Sequence, residues 1–175
     1  MQYEKIYLKE GRPDVYLETF IAESVGGYTR KAILVIPGGG YGGVCADREG
    51  EPIALAFMPY GYNGFVLHYT VGRKEPYPAQ LREGTLAIKH IKDNAEKSAI
   101  DPDKLFVTGF SAGGHLAASA SNKPKIEDRP NFSILFYPVL TANDYTSHRG
   151  SFRNLLGKRH SEQEAEAWAM DKCVD

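Results

Sequence analysis

Cysteine is scarce in this chain. Cys45 and Cys173 are the only two among 175 residues. That is too few for a disulfide scaffold, and with no CxxC spacing there is no thiolate metal site to expect. Two reduced thiols suit a reducing compartment instead. Charge of one sign is also lacking. The chain has 21 basic and 22 acidic residues and a formal net charge of -1, which gives no reason to expect nucleic acid or an anionic membrane as a partner. No apolar run approaches the ~18 residues of a membrane span. The opening MQYEKIYLKEG carries charge where a secretory signal would carry an apolar stretch, so a cytoplasmic setting is the expectation. Repeats, low-complexity tracts and linkers are missing too. With 42% apolar and 25% charged residues, the composition fits one domain over residues 1–175 with a genuine core.

The apolar pattern predicts an α/β fold. YEKIYL and VYLETFI read as two short strands around the turn residues Gly11 to Asp14. AILVI, from Ala32 to Ile36, is a continuous apolar run, as expected of a strand buried on both faces. A helical stretch up to Pro59, a strand over Gly64–Val71 and a long amphipathic helix follow, with Leu81, Leu86, Ile88 and Ile91 near one face. Asp101-Pro102-Asp103 reads as a turn, LFVTG as a strand, AGGHLAASA as a short helix, FSILFYPV as a strand, and the tail from Ser161 to Met170 as an acidic-faced helix. This order predicts a mostly parallel sheet with helices on both faces and a site at the carboxyl ends of the strands.

Two stretches fall at those ends. Gly109-Phe110-Ser111-Ala112-Gly113 matches G-x-S-x-G between a strand and a helix, the context that a nucleophile elbow requires. The bland alternative is a plain strand-to-helix turn with Ser111 as N-cap. VIPGGGYGG, from Val35 to Gly43, also matches the dinucleotide pattern G-x-G-x-x-G. No helical pattern starts at its last glycine, however, and the next strand ends Tyr69-Thr70-Val71-Gly72 without the acidic residue that would hold a ribose. The other use of such a loop is to aim backbone N–H groups at a developing oxyanion. The expected donors are the amides of Gly39, Gly40 and Ala112, with Ser111 as nucleophile.

The glycine loop, ADREGEP after it, YPAQLREGTLAIKHIK, IDPDKLFVTGFSAGGHLAAS and ILFYPV together resemble the α/β-hydrolase superfamily. More narrowly they resemble small bacterial acetyl esterases and acetyl xylan esterase-like enzymes, near the hormone-sensitive-lipase-like esterases. The resemblance implies hydrolysis of short-chain esters, carbohydrate acetates among them, on a small-molecule substrate and with no metal or organic cofactor. It also implies a fold lacking its last strands. Members of the family continue with further strands, and their triad acid and base come there, in the order Ser, Asp, His. The chain is therefore expected to be a truncated or split member with weak or absent turnover alone. The alternative function is a binding module, or a fragment that needs a partner chain for the triad Asp and His.

Within the chain, Asp144 with His148 is the best substitute for the missing pair. His115 has a structural counterpart in the family, His68 reads as packed, His90 as solvated and His160 as a loop residue. Asp47 is expected to fix the glycine loop through Arg48 or backbone amides, and Cys45 to be a small, partly buried side chain. Tyr60, Tyr62, Tyr77 and Tyr145 are candidates for lining a pocket. FSILF should be left as an edge strand. Homo-oligomerisation through that edge, or covering of it by residues 141–175, is expected.

Overall fold

The computed structural model describes residues 1–24, 26–142 and 147–173. Its strands are β1 (Gln2–Tyr7), β2 (Tyr16–Ile21), β3 (Arg30–Ile36), β4 (Tyr62–His68), β5 (Ile100–Phe110) and β6 (Phe132–Phe136). They form one six-stranded sheet in the order β1-β2-β4-β3-β5-β6. β1, β2 and β4 pair antiparallel, whereas β4, β3, β5 and β6 run parallel. The helices are α1 (Ala46–Glu49), α2 (Glu51–Phe57), α3 (Ala79–Asp93), α4 (Ala112–Asn122), α5 (Arg149–Leu156) and α6 (Glu162–Ala167).

The continuous apolar run of β3 serves both faces of the sheet. Ala32, Leu34 and Ile36 join Ala87, Ile88 and Ile91 of α3 and Leu116 and Ala117 of α4. Ile33 and Val35 face the other way, toward Ala54 of α2 with Phe20, Val66 and Phe110. Helices thus cover both faces, as the pattern predicts. On α3 the buried stripe runs through Gln80, Glu83, Gly84, Ala87, Ile88 and Ile91, while Leu86 is exposed. The expectation for Leu86 fails because α3 turns its small residues inward. A Cβ on Gly84 would already lie 3.8 Å from Ala120 Cβ, so bulk on that face would hold the two helices apart.

The stretch Asp101–Asp103 is a turn-like irregularity inside β5 and not a boundary. Ile100 pairs with Arg30 and Leu105 with Ala32, and Asp101 Oδ1 accepts from the Asp103 amide at 3.0 Å in the interruption. β6 lies at the edge of the sheet, with Phe132 51% and Phe136 42% exposed. α5 was not foreseen from the sequence. Among the described residues no helix is long and apolar enough to cross a membrane.

Candidate active site

Ser111 stands where β5 ends and α4 begins, with φ 52° and ψ -117°. A non-glycine residue rarely adopts this backbone, and it persists only where the surroundings over-determine it. They do so here. A Cβ on Gly113 would overlap the carbonyl oxygens of Ile36 and Pro37, and one on Gly109 would overlap the Gly113 carbonyl. One on Gly114 would lie 2.8 Å from Pro138 Cβ. The small residues around the serine are therefore required by backbone contact. The Ser111 side chain makes no capping bond to α4, and among the described residues its Oγ has no hydrogen-bond partner. The N-cap alternative needs that bond.

The peptide of Ser111 is stitched to the chain that follows β6. Its amide donates to Phe136 O at 3.0 Å, and its carbonyl accepts from Val139 N at 3.2 Å. The glycine loop packs against it from the other side. A Cβ on Gly38 would lie 3.1 Å from Ser111 Cβ and 2.8 Å from Glu49 Oε2. The loop is pinned at several points. Tyr69 O–H donates to Pro37 O at 2.8 Å, the Gly38 amide donates to Glu49 Oε2 at 2.8 Å, and Cys45 N donates to Gly38 O at 3.0 Å. Gly39, Gly40 and Tyr41 all have positive φ, of 131°, 61° and 58°. Gly39 has no alternative, because a Cβ there would overlap the Gly43 carbonyl. Among the described residues, the amides of Gly39, Gly40 and Ala112 donate to no other group.

A second layer comes from the far end of the chain. Asn154 Nδ2 of α5 donates to Gly40 O at 2.9 Å. Tyr41 O–H donates to His115 Nδ1 at 2.6 Å, and His115 Nε2–H donates to Trp168 O at 2.7 Å. Burial pushes the His115 pKa down to about 4. This neutral, doubly bonded imidazole is a structural strut between the loop, α4 and the segment after α6.

Among the described residues, none of the remaining histidines is hydrogen-bonded to Ser111, although His148 Cε1 would lie 3.8 Å from a Cβ on Gly40. His68 sits against Glu18 at 3.0 Å and stacks on Tyr16, on a strand separated from β5 by β3. His90 is on α3, and His160 Nδ1 donates to Gly157 O at 2.6 Å. His148 caps α5. Its Nδ1 accepts from Ser151 N at 3.3 Å and lies 2.9 Å from Ser151 Oγ. Nδ1 is thus the ring atom that Ser151 engages. Its expected partner Asp144, like Tyr145, lies outside the described residues.

Other expectations need correction. Glu49, not Asp47, holds the glycine loop; Asp47 is exposed, and Arg48 Nη2 donates to Cys45 Sγ at 3.0 Å. Tyr60 and Tyr62 lie at the start of β4, the opposite end of the sheet from Ser111, and Tyr77 is packed on Trp168. Glu49, Asn154 and Tyr137 were missed. Glu49 was visible only as one of the three acids of ADREGEP, two positions from the residue chosen.

The sequence profile of the BD-FAE family matches residues 15–136. The chain belongs to the BD-FAE family. An acetylxylan esterase of Xylanibacter ruminicola is 36% identical to this BD-FAE chain over 141 residues, 79% of the chain and 28% of that protein. Endo-1,4-beta-xylanase B of Butyrivibrio fibrisolvens is 39% identical over 159 residues, 83% of the chain and 25% of that protein. The chain therefore spans little more than a quarter of the length of these relatives. Among solved structures, an acetyl ester-xyloside bifunctional hydrolase of Caldicellulosiruptor lactoaceticus superposes with a TM-score of 0.85 at 30% identity, over 98% of this chain and 70% of that one. An alpha/beta hydrolase enzyme from a deep-sea metagenome superposes with a TM-score of 0.76 at 38% identity, over 83% of this chain and 60% of that one. The BD-FAE sheet has the α/β-hydrolase fold.

Proposed function

We propose that this chain carries the nucleophilic half of a carboxylic-ester hydrolase site, with Ser111 as nucleophile and the amides of Gly39, Gly40 and Ala112 as oxyanion donors. The observation that carries the reading is the strained serine, with φ 52° and its Oγ uncommitted, against the glycine loop. In this reading Ser111 Oγ attacks the ester carbonyl and its proton passes to a water molecule, which returns a proton to the leaving alcohol. The carbonyl oxygen takes the negative charge and accepts from the fixed amides. The alcohol then leaves with a proton, and water releases the acid from the acyl-serine. Acetyl and other short-chain esters are the proposed substrates, carbohydrate acetates among them, in keeping with the names of the acetylxylan esterase and the acetyl ester-xyloside hydrolase.

Among the described residues no imidazole is bonded to Ser111 Oγ, and His148 Nδ1 is engaged by Ser151. A serine hydroxyl without a base is a poor nucleophile, and binding with an oxyanion hole alone supports only about 10³–10⁴ over water. Weak turnover by this chain is the consequence. Both cysteines are free thiols, which supports the reducing, cytoplasmic setting. The exposed edge of β6 supports self-association through that strand. The reading is tested with 4-nitrophenyl acetate. Hydrolysis above background that disappears in Ser111→Ala is the expected result, and hydrolysis retained in that variant removes Ser111 from the reaction.

A further inference from the structure

Glu49 is an odd neighbour for a site proposed to stabilise negative charge. Its side chain is only 13% exposed, and a Cβ on Gly38 would meet both its Oε2, at 2.8 Å, and Ser111 Cβ, at 3.1 Å. A carboxylate here repels an oxyanion unless its own charge is engaged and its place serves another end. Both oxygens are engaged. Oε2 accepts from the Gly38 amide at 2.8 Å, and Oε1 accepts from Tyr137 O–H at 2.9 Å with Arg48 Nε at 3.5 Å. The short helix that bears it is wedged in place, because a Cβ on the next residue, Gly50, would lie 2.7 Å from Ala46 O and 3.0 Å from Val66 Cγ1.

Tyr137 is as unusual. Its ring is 63% exposed, and its φ is 36°, a backbone that a tyrosine adopts only under constraint. Phe136 and Val139, close to it in the chain, bond the Ser111 amide and carbonyl respectively. A single side chain thus connects the glycine loop to the segment that holds the serine peptide. The Gly38 amide is engaged by Glu49, whereas those of Gly39 and Gly40 donate to no group among the described residues.

We propose that Glu49 is a positioning residue, whose carboxylate locks the glycine loop to the segment after β6 through the Gly38 amide and the Tyr137 hydroxyl. The clamp sets the aim of Gly39 and Gly40, and in this role it rests on the ester-hydrolase reading. Glutamine at the same place keeps an acceptor for Gly38 and presents a donor to the Tyr137 oxygen; alanine keeps neither.

The test measures the rate at which a fluorophosphonate labels Ser111 in the full chain, beside hydrogen exchange of the peptide spanning Gly38 to Cys45. Misaiming a donor weakens the oxyanion hole, so Glu49→Ala is expected to slow labelling about tenfold to a hundredfold. Glu49→Gln stays within about threefold of the parent, and Tyr137→Phe, which loses a single hydrogen bond, slows labelling about twofold to fivefold. Exchange at Gly38–Cys45 is expected to rise about tenfold in Glu49→Ala and to stay unchanged in Glu49→Gln. A structural loss alone would lower the thermal midpoint without this rescue by glutamine. Equal labelling in all variants, or glutamine as slow as alanine, overturns the clamp. If the parent chain does not label at all, the ester-hydrolase reading fails. Exchange then decides the clamp by itself: no change in Glu49→Ala overturns it, and a rise confined to that variant upholds it as a loop clamp.

Discussion

Two regions meet over the ends of the parallel strands, and they are held by different forces. Around Ser111 the constraint is backbone against backbone: Gly109 and Gly113 fit only because a Cβ would overlap neighbouring carbonyls. In residues 147–173 the hold is through side chains: Phe152, Leu155 and Met170 are buried, and hydrogen bonds reach over long sequence distances, as with Asn154 to Gly40 O and His115 to Trp168 O. The serine corner is built to one shape. The C-terminal segment is fastened on by buried Phe152, Leu155 and Met170 together with a few polar bonds, and the polar part of its hold changes with conditions.

The comparison breaks most visibly at Gly113. Gly113→Val puts a branched side chain into the Ile36 and Pro37 carbonyls, a clash expected to destabilise by more than about 4 kcal/mol and to lower the thermal midpoint by more than about 10 °C. Gly43→Ala sharpens the contrast, since a Cβ there meets nothing within 4 Å; its midpoint should stay within about 1–2 °C of the parent. Equal losses in the two variants would show that the corner is not sterically specified.

The C-terminal attachment is tested through pH. His115 titrates at about 4 in the folded protein against an ordinary value of 6.5. Between these values the unfolded chain binds the proton first, so this group's contribution is whole above about pH 6.5 and drains as pH falls toward 4. From pH 7 to pH 5 it is expected to remove about 2 kcal/mol of unfolding free energy. Urea titrations of the parent and of His115→Gln at both pH values measure this. The variant is less stable at pH 7, because Tyr41 O–H and Trp168 O lose their buried partner, by about 1–3 kcal/mol. It should also lose less between pH 7 and pH 5. An identical loss in both proteins would contradict the assignment of that drain to His115.

The smallest effect is expected at the outer edge. Phe132 is half exposed on β6 and stacks on Phe106. Phe132→Lys should change stability by less than about 1 kcal/mol while shifting sedimentation toward the monomer, since a lysine on a free edge opposes strand pairing. An unchanged sedimentation profile from a self-associating parent would place the contact elsewhere.

This difference in forces explains what was legible in the sequence. The strands, their mostly parallel order and the corner at Gly109–Gly113 could be read because apolar runs and obligatory small residues are local patterns. Leu86 and the interior of β5 were misread because packing partners and pairing register decide them, not composition. Glu49, Asn154 and Tyr137 were missed because each acts across a long stretch of chain: Tyr137 meets Glu49 from 88 positions away, and Asn154 meets Gly40 from 114. A nearby acid, Asp47, drew the loop-fixing role on proximity alone.

The most direct test of the whole account is to treat the chain with a fluorophosphonate and locate the adduct by peptide mass spectrometry. One phosphonyl group on Ser111, absent after Ser111→Ala with the thermal midpoint unchanged, is the result expected of an uncommitted, strained serine beside free amides. An unmodified Ser111 in the folded chain, or an adduct on another residue, would contradict the claim that this corner is a nucleophile.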